Sequence, residues 1–309
     1  MSATKLSESG FSLKSESKRR GERLIISVLF IASLASILIS IGIVWSLIVP
    51  AIEFFRQVSI VDFLTGTRWA PRFKPATFGV VPLLVGTLWT TTIALLVAVP
   101  FGLGAAMYLS EYASEKSRRR LKPILELLAG IPTVVYGFFA IEFVTRVVLK
   151  GWLGLDIGTF SVLSAGLVMG VMIIPTVASL SEDALSSVPL AMRQGSMALG
   201  ANKMQTTLRV VFPAALSGIA AAIVLGISRA VGETMIVALA AGNKPNISLN
   251  PLEGAQTMTG FIANAALGDS RVGSLQYDTL FAVGLLLFVF TLMINFISIR
   301  LVRKFRQAY

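Results

Sequence analysis

The chain has 309 residues, of which 55% are hydrophobic and 14% are charged, and its formal net charge is +11. A soluble domain usually has about 25% charged residues, so this composition favours a membrane protein. The chain has no cysteine and no histidine, which excludes thiol catalysis, imidazole-bound metals and Ser-His-Asp hydrolysis within it. Its basic residues lie in short clusters between long apolar runs, a pattern typical of membrane orientation and not of nucleic-acid binding.

Six apolar runs are each long enough to cross a bilayer as an α-helix, which needs about 20 residues for roughly 30 Å of hydrocarbon. Because backbone amides cannot go unpaired in lipid, each run is predicted to be helical. The first run continues well beyond a possible cleavage site at Ser33–Ala35, so an uncleaved anchor is favoured over a signal peptide. In chain order the predicted spans are Leu24–Val49, Phe78–Leu109, Ile124–Val144, Gly158–Leu180, Phe212–Ala241 and Thr279–Ile299.

Two of these runs contain residues that complicate a straight helix. The second contains Pro82 and Pro100, which either bend it or mark its ends. The third is the weakest prediction, since Glu126 and Glu142 lie near its two ends, where each is expected to reach the membrane interface.

The distribution of basic residues predicts the orientation. With the N-terminus in the cytoplasm, most of the 27 Lys and Arg residues fall in the segments on the cytoplasmic side, so the positive-inside rule predicts six spans with both termini in the cytoplasm. Residues 1–23 are rich in Ser, Lys, Glu and Arg and are predicted to form a disordered cytoplasmic tail. The remaining residues, 24–309, are predicted to form one transmembrane domain.

The longest predicted cytoplasmic loop, at about 181–212, carries a spaced pattern. It resembles the coupling loop, or EAA loop, of ABC-importer permeases, which reads Glu-Ala-Ala, three residues, Gly, nine residues, then Ile-x-Leu-Pro. Gln194-Gly195-Ser196 stands in place of the triplet, Ala198-Leu199-Gly200-Ala201 matches the conventional core, and Pro213 matches the final proline. A short helix is predicted after Val188-Pro189. The alternative is an ordinary amphipathic loop helix with a glycine.

The resemblance implies that this loop docks into a groove on a partner ATPase. Small side chains let a short helix approach another backbone closely. The chain contains no G-x-x-x-x-G-K-[ST] phosphate loop. ATP and Mg are therefore expected on the partner, and no cofactor is expected on this chain.

Other segments are similar to the permeases of phosphate ABC importers, in particular the PstC type. Gly130–Gly137 resembles their G-I-P-S-x-V-Y-G stretch, and Gly226–Met235 resembles their G-x-G-R-A-x-G-E-T-M stretch. Phe63–Pro71 and Tyr108–Ala113 also match this family. The resemblance implies an all-α polytopic protein of the type I ABC-importer permease fold, in a bacterial or archaeal plasma (inner) membrane. The partners it implies are a PstA-like second permease, a PstB-like ATPase dimer and a PstS-like extracytoplasmic phosphate-binding protein.

Arg229 and Glu233 are the candidate pathway or gating residues. Arg229 is the one basic residue deep in a predicted span, and Glu233 follows about one helical turn later. Intramembrane charges cost about 2.5–3.5 kcal/mol on insertion scales and usually face a cavity or a partner. A guanidinium matches two phosphate oxygens at once, whereas Glu233 would repel phosphate and is expected to orient Arg229. The alternative is an internal Arg229–Glu233 pair that only stabilises or gates the bundle.

Three other functions stay open. The importer could carry sulfate, molybdate or another solute. A secondary transporter is disfavoured because no internal symmetry is visible and because it would not need a docking loop. A membrane-embedded enzyme would need a catalytic cluster, and none of the remaining reactive residue types cluster in the predicted spans.

Overall fold

The computed structural model describes residues 20–268 and 271–305. It divides into two units, the first ending at Val49 and the second beginning at Pro50. Most of the predicted tail at 1–23 lies outside the described residues. Its last four residues, 20–23, belong to the first helix.

The secondary structure of the described residues is almost entirely helical. One short hairpin pairs β1 (Trp69–Ala70) with β2 (Thr77–Phe78) in antiparallel register. Four π-helical segments continue or precede α-helices: π1 (Tyr108–Tyr112), π2 (Ala140–Trp152), π3 (Thr207–Val211) and π4 (Val237–Ala241). The α-helices are α1 (Arg20–Gln57), α2 (Ile60–Thr65), α3 (Val81–Met107), α4 (Glu115–Gly130), α5 (Thr133–Phe139), α6 (Val162–Ser186), α7 (Leu190–Ala198), α8 (Lys203–Thr206), α9 (Phe212–Ala214), α10 (Leu216–Gly232), α11 (Met258–Ala266) and α12 (Leu275–Phe305).

Between four and six segments of the described chain qualify as membrane spans. Four are unbroken and overlap the first, second, fourth and sixth predicted runs: Glu22–Gln57, Val81–Tyr112, Val162–Ser186 and Leu275–Arg300. Two more qualify only as bent pairs: Glu115–Gly130 with Thr133–Trp152, bent by 88°, and Lys203–Ala214 with Leu216–Gly232, bent by 71°.

The third predicted span is wrong as a straight helix. The run Ile124–Val144 straddles the bend between α4 and α5. Pro132 causes the break, because a proline disfavours helical backbone at the residue before it, and Ile131 is extended (φ −68°, ψ 130°). The second helix of this bent pair runs from Thr133 to Trp152, so Glu142 lies near its middle and not near its end.

The fifth predicted span is also interrupted. The run Phe212–Ala241 bends at Ala215, between α9 and α10, and breaks again at Glu233, whose backbone is extended (φ −65°, ψ 130°). The apolar run is as long as expected, but it contains two changes of direction that its hydropathy does not show.

Close packing of α3 against α6 forms the centre of the second unit. A Cβ added at Gly102 of α3 would lie 2.8 Å from Cβ of Val177 on α6, so only glycine allows this approach. Small residues let membrane helices pack closely in this way. The side chains of Met169, Met172 and Ile173 on α6 are fully buried in the same core, which also takes in residues of α5, α10 and π4.

A second, aromatic cluster packs around the hairpin. Phe54 near the end of α1 and Phe63 of α2 are both buried and make an edge-to-face pair with ring centroids 5.6 Å apart. Trp69 of β1 makes a further edge-to-face contact with Phe261 of α11 at 4.9 Å. The cluster joins the last turns of α1 to the hairpin and to α11.

Candidate functional site

Arg229 lies on the last turn of α10 and faces α6. One of its guanidinium nitrogens, Nη1, donates a hydrogen bond of 2.9 Å to the Thr176 hydroxyl. Within residues 20–268 and 271–305, no carboxylate lies within 4.0 Å of this guanidinium. An arginine side chain has five N–H donors, so this contact leaves most of them free to bind a ligand.

Glu233 has a different role from the one expected. Its carboxylate accepts hydrogen bonds from the backbone N–H groups of Met235 (3.1 Å) and Ile236 (3.3 Å), and it therefore caps the helical turn that leads into π4. Its backbone carbonyl accepts a hydrogen bond from Thr259 at 2.7 Å. The expected contact with Arg229 is not formed, because α10 ends at Gly232 and the one-turn spacing does not continue to Glu233.

A cavity of about 310 Å³ lies between α4, α6 and α10. Thr176, the partner of Arg229, lines this cavity together with Ser179, Lys122 and Glu182. The cavity therefore joins the neighbourhood of Arg229 to a cluster of charged side chains at the end of α6.

Glu182 is the centre of that cluster. Its side chain is 1% exposed and pairs with Arg118 and with Lys122 on α4, the latter at 3.1 Å. The neighbouring Asp183 is 62% exposed and lies 3.6 Å from the Lys122 ammonium. These contacts hold α4 against the end of α6.

A second ion pair holds α7 in place. Arg193 of α7 pairs with Glu111 of π1, and both side chains are largely buried. The Arg193 guanidinium also donates to the carbonyl oxygen of Leu185 at 2.6 Å. Sequence analysis missed both clusters, because the paired residues are between 60 and 82 positions apart in the chain.

The predicted short helix after Pro189 is present as α7. It ends before Gly200, which has a φ of +86°, a backbone conformation that favours glycine. Asn202 then begins α8: its side chain accepts from the backbone of Gln205 (2.8 Å) and its backbone donates to the Gln205 side chain (3.0 Å). This reciprocal capping fixes the turn between the two helices.

The predicted coupling residues do not all lie together. A groove of about 580 Å³ between α7 and the segment from α8 to π3 is lined by Gly195, Ser196, Leu199, Gly200 and Ala201 among others. The groove does not include Gln194, Ala198 or Pro213, although all three are exposed. Leu199 is 91% exposed, and other large apolar side chains of this region are also exposed: Leu190, Met197 and Met204.

Comparisons with known proteins show the family of this chain. Residues 98–308 match the family model described as "Binding-protein-dependent transport system inner membrane component". A Bacillus subtilis protein, "Probable ABC transporter permease protein YqgH", is 35% identical, with 91% of each chain covered. The PstC phosphate transport system permease protein of Mesorhizobium japonicum is 33% identical, with 75% of each chain covered.

Solved structures show the same fold. A chain of a bacterial alginate ABC transporter matches with a TM-score of 0.64 and 17% identity, covering 93% of this chain and 98% of that one. A chain of the MetNI methionine ABC transporter matches with a TM-score of 0.56 and 23% identity, covering 74% of this chain and 95% of that one. At these identities the likeness concerns the fold, and it is the type I ABC-importer permease fold that the sequence resemblance implied.

Proposed function

This chain belongs to the family of binding-protein-dependent transport system inner membrane components, and from this premise we propose that it carries inorganic phosphate into the cell. It is a multi-pass membrane subunit of an ABC importer and not an enzyme. Several of its relatives are named as phosphate transport system permeases, at 28–34% identity. Phosphate is the substrate that these names favour.

The observation that carries the proposal is that the guanidinium of Arg229 has no counter-ion among the described residues. Its one side-chain hydrogen bond goes to a neutral hydroxyl, and no carboxylate of the described chain neutralises it. A guanidinium in a membrane helix is costly unless it meets an anion or a polar cavity. A phosphate ion supplies two oxygens for its planar fork. Glu233 supports the site indirectly, by fixing the helix break that follows Arg229.

The groove and exposed apolar side chains around Leu199 support docking of an ATPase. A short helix with small residues and one prominent apolar side chain suits insertion into a groove of a partner. In this proposal the separate ATPase is present as two copies and binds ATP and Mg. This chain binds neither. A second permease and an extracytoplasmic phosphate-binding protein complete the importer. Both termini and the α7–α8 region lie on the cytoplasmic side, and the domain starts near residue 24.

The test is substrate-dependent transport by the reconstituted importer. The complex, placed in proteoliposomes with its binding protein, should take up labelled phosphate in an ATP-dependent manner. A large excess of sulfate or molybdate should leave this uptake unchanged. Uptake of sulfate or molybdate in place of phosphate would contradict the substrate assignment, and uptake without ATP would contradict the coupling mechanism.

A further inference from the structure

The helix that α5 and π2 form together carries charged side chains near its middle. α5 and π2 together run from Thr133 to Trp152, so Glu142 lies more than about 10 Å along the helix from either end. The Glu142 carboxylate accepts a hydrogen bond of 2.6 Å from Arg146, and the two side chains are 56% and 60% exposed. The described part of the chain therefore leaves an ion pair exposed near the middle of this helix.

The winding of π2 sorts the exposed side chains into two rows. Burial repeats about every four residues in this segment, with Ala140, Thr145 and Leu149 buried. On the exposed side, a polar row consists of Glu142, Arg146 and Lys150, and an apolar row consists of Phe139, Phe143 and Val147.

Contacts along each row confirm that its members are aligned. In the polar row, Glu142 and Arg146 are hydrogen-bonded at a spacing of four residues. In the apolar row, the rings of Phe139 and Phe143 are stacked with centroids 5.0 Å apart, at the same spacing. The two rows are neighbours on one helix, yet the polar row suits water and the apolar row suits hydrocarbon.

Lipid satisfies only one of these rows. Hydrocarbon accepts the apolar row without cost, whereas charged groups at mid-membrane depth are found facing a bundle interior or a water-filled cavity. A long arginine side chain can reach along the helix toward the interface. Glu142 has a short side chain and its position is central, so it cannot reach water in that way.

We propose that the helix Thr133–Trp152 crosses the membrane, and that its polar row lines the water-filled transport pathway between this chain and the second permease while its apolar row faces lipid. The part of the proposal that concerns the solute rests on the proposed function, since an anion has to pass. The row contains two cations and one carboxylate, and so it adds positive charge to the pathway. Anionic solutes are attracted and cationic ones are repelled along it.

The absence of cysteine from the chain makes this testable with single cysteine variants. Glu142→Cys is compared with Phe143→Cys, its neighbour at the same depth, in the complete importer held in lipid nanodiscs. Membrane-impermeant methanethiosulfonate reagents should modify Glu142→Cys and leave Phe143→Cys unmodified. Lys74→Cys, at an exposed loop position, shows the rate for full access to water.

The charge of the reagent tests the solute class. With Arg146 and Lys150 left in the row, an anionic reagent should modify Glu142→Cys about tenfold or more faster than a cationic reagent of similar size. A faster reaction with the cationic reagent would overturn the anion-attracting role of the row.

A second pair keeps the proposal falsifiable if Glu142→Cys does not assemble. Arg146→Cys should be modified and Val147→Cys should not. The proposal is overturned if the reagents modify both cysteine variants of a pair equally, or if they modify neither. The labelling needs neither transport nor phosphate, so the expected labelling pattern, found together with no phosphate uptake by the importer without substitutions, would count against the proposed function alone.

Discussion

The interior around Arg229 and the end of α6 around Glu182 are built in opposite ways. In the interior the apolar side chains of α6 are packed and the charge of Arg229 has no counter-ion among the described residues. At the end of α6 the charges are paired, with Glu182 bound by two cations, and in the loop region that follows an apolar side chain, Leu199, is left 91% exposed.

The difference indicates what each region binds. Groups that are satisfied within the chain hold its architecture, because an isolated buried charge is expensive and a paired one is not. Groups left unsatisfied are available for partners. In the proposed function, the interior binds an anion and the region after α6 binds an apolar protein surface.

The largest effect on phosphate uptake is expected from removing the charge of Arg229. Arg229→Gln should lower phosphate uptake by about 10- to 150-fold, the equivalent of ~1.5–3 kcal/mol for a hydrogen bond to a charged group. Arg229→Lys should be intermediate, since the charge remains but the planar fork is lost. Labelled phosphate uptake per assembled complex measures this, with Arg300→Gln, an exposed arginine of α12, as the control. Full uptake by Arg229→Gln at normal abundance would remove Arg229 from the pathway.

The second prediction tests whether the exposed side chain of Leu199 binds the ATPase. Leu199→Asp should weaken capture of the ATPase by about 30-fold, because truncating an interface hot spot costs ~2 kcal/mol or more. Membrane abundance should not change, as the side chain is exposed. Leu249→Asp, the same change at a leucine that is 67% exposed in the loop after π4, is the matched control. Equal capture by both variants would show that Leu199 is not a docking residue. Gly200→Asp should act in the same direction, since φ at Gly200 is +86°.

A smaller effect is expected from breaking the paired charges. Glu182→Gln should destabilise the assembled protein by ~1.5 kcal/mol, at the low end for charged hydrogen bonds, because both cations are partly exposed to water. Asp183→Asn, in a more exposed position, should cost ~0.5 kcal/mol or less. Thermal unfolding of the purified complex measures both. A loss of uptake by Glu182→Gln without a loss of stability would show that this cluster acts in transport and not in architecture.

The smallest effect is expected at Glu233. A glutamine retains an oxygen that can accept from the backbone of Met235 and Ile236, so Glu233→Gln should cost ~1 kcal/mol or less. Because Arg229 and Glu233 do not pair, the double glutamine variant should take up no more phosphate than Arg229→Gln alone. Recovery of uptake in the double variant would mean that the two residues do neutralise each other. Uptake and membrane abundance of all three variants decide this.

Local chemistry made α7 predictable from sequence, whereas α8 was not predicted. Pro189 precedes the helix, and Gly200 supplies the positive φ after it. Each of these effects acts over a few residues, so reading neighbouring letters is enough. The existence of most apolar spans is predictable for a similar reason, since lipid imposes one requirement on every residue of a span.

Helix bends and contacts between distant residues could not be predicted from neighbouring residues in this way. Counting apolar residues joined α4 to α5 across Pro132 and so placed Glu142 near a helix end. The partners of Arg229 and Glu182 lie 53 and at least 60 positions away, and they become neighbours only through the packing of α6. Arg229 could be chosen as a candidate site residue from its charge within an apolar run, but its actual partner, Thr176, could not be predicted.

The length of α1 has a consequence for the membrane around this protein. Its apolar helix, Glu22–Gln57, has 36 residues and would measure roughly 54 Å, which exceeds the roughly 40–45 Å of a whole bilayer with its headgroups. The last turns are held by aromatic packing at Phe54, and Glu53 pairs there with Arg56. Residues 22–49 alone exceed the about 20 residues that one crossing of the hydrocarbon needs, so bilayers of different thickness can each be crossed by a different stretch of this helix.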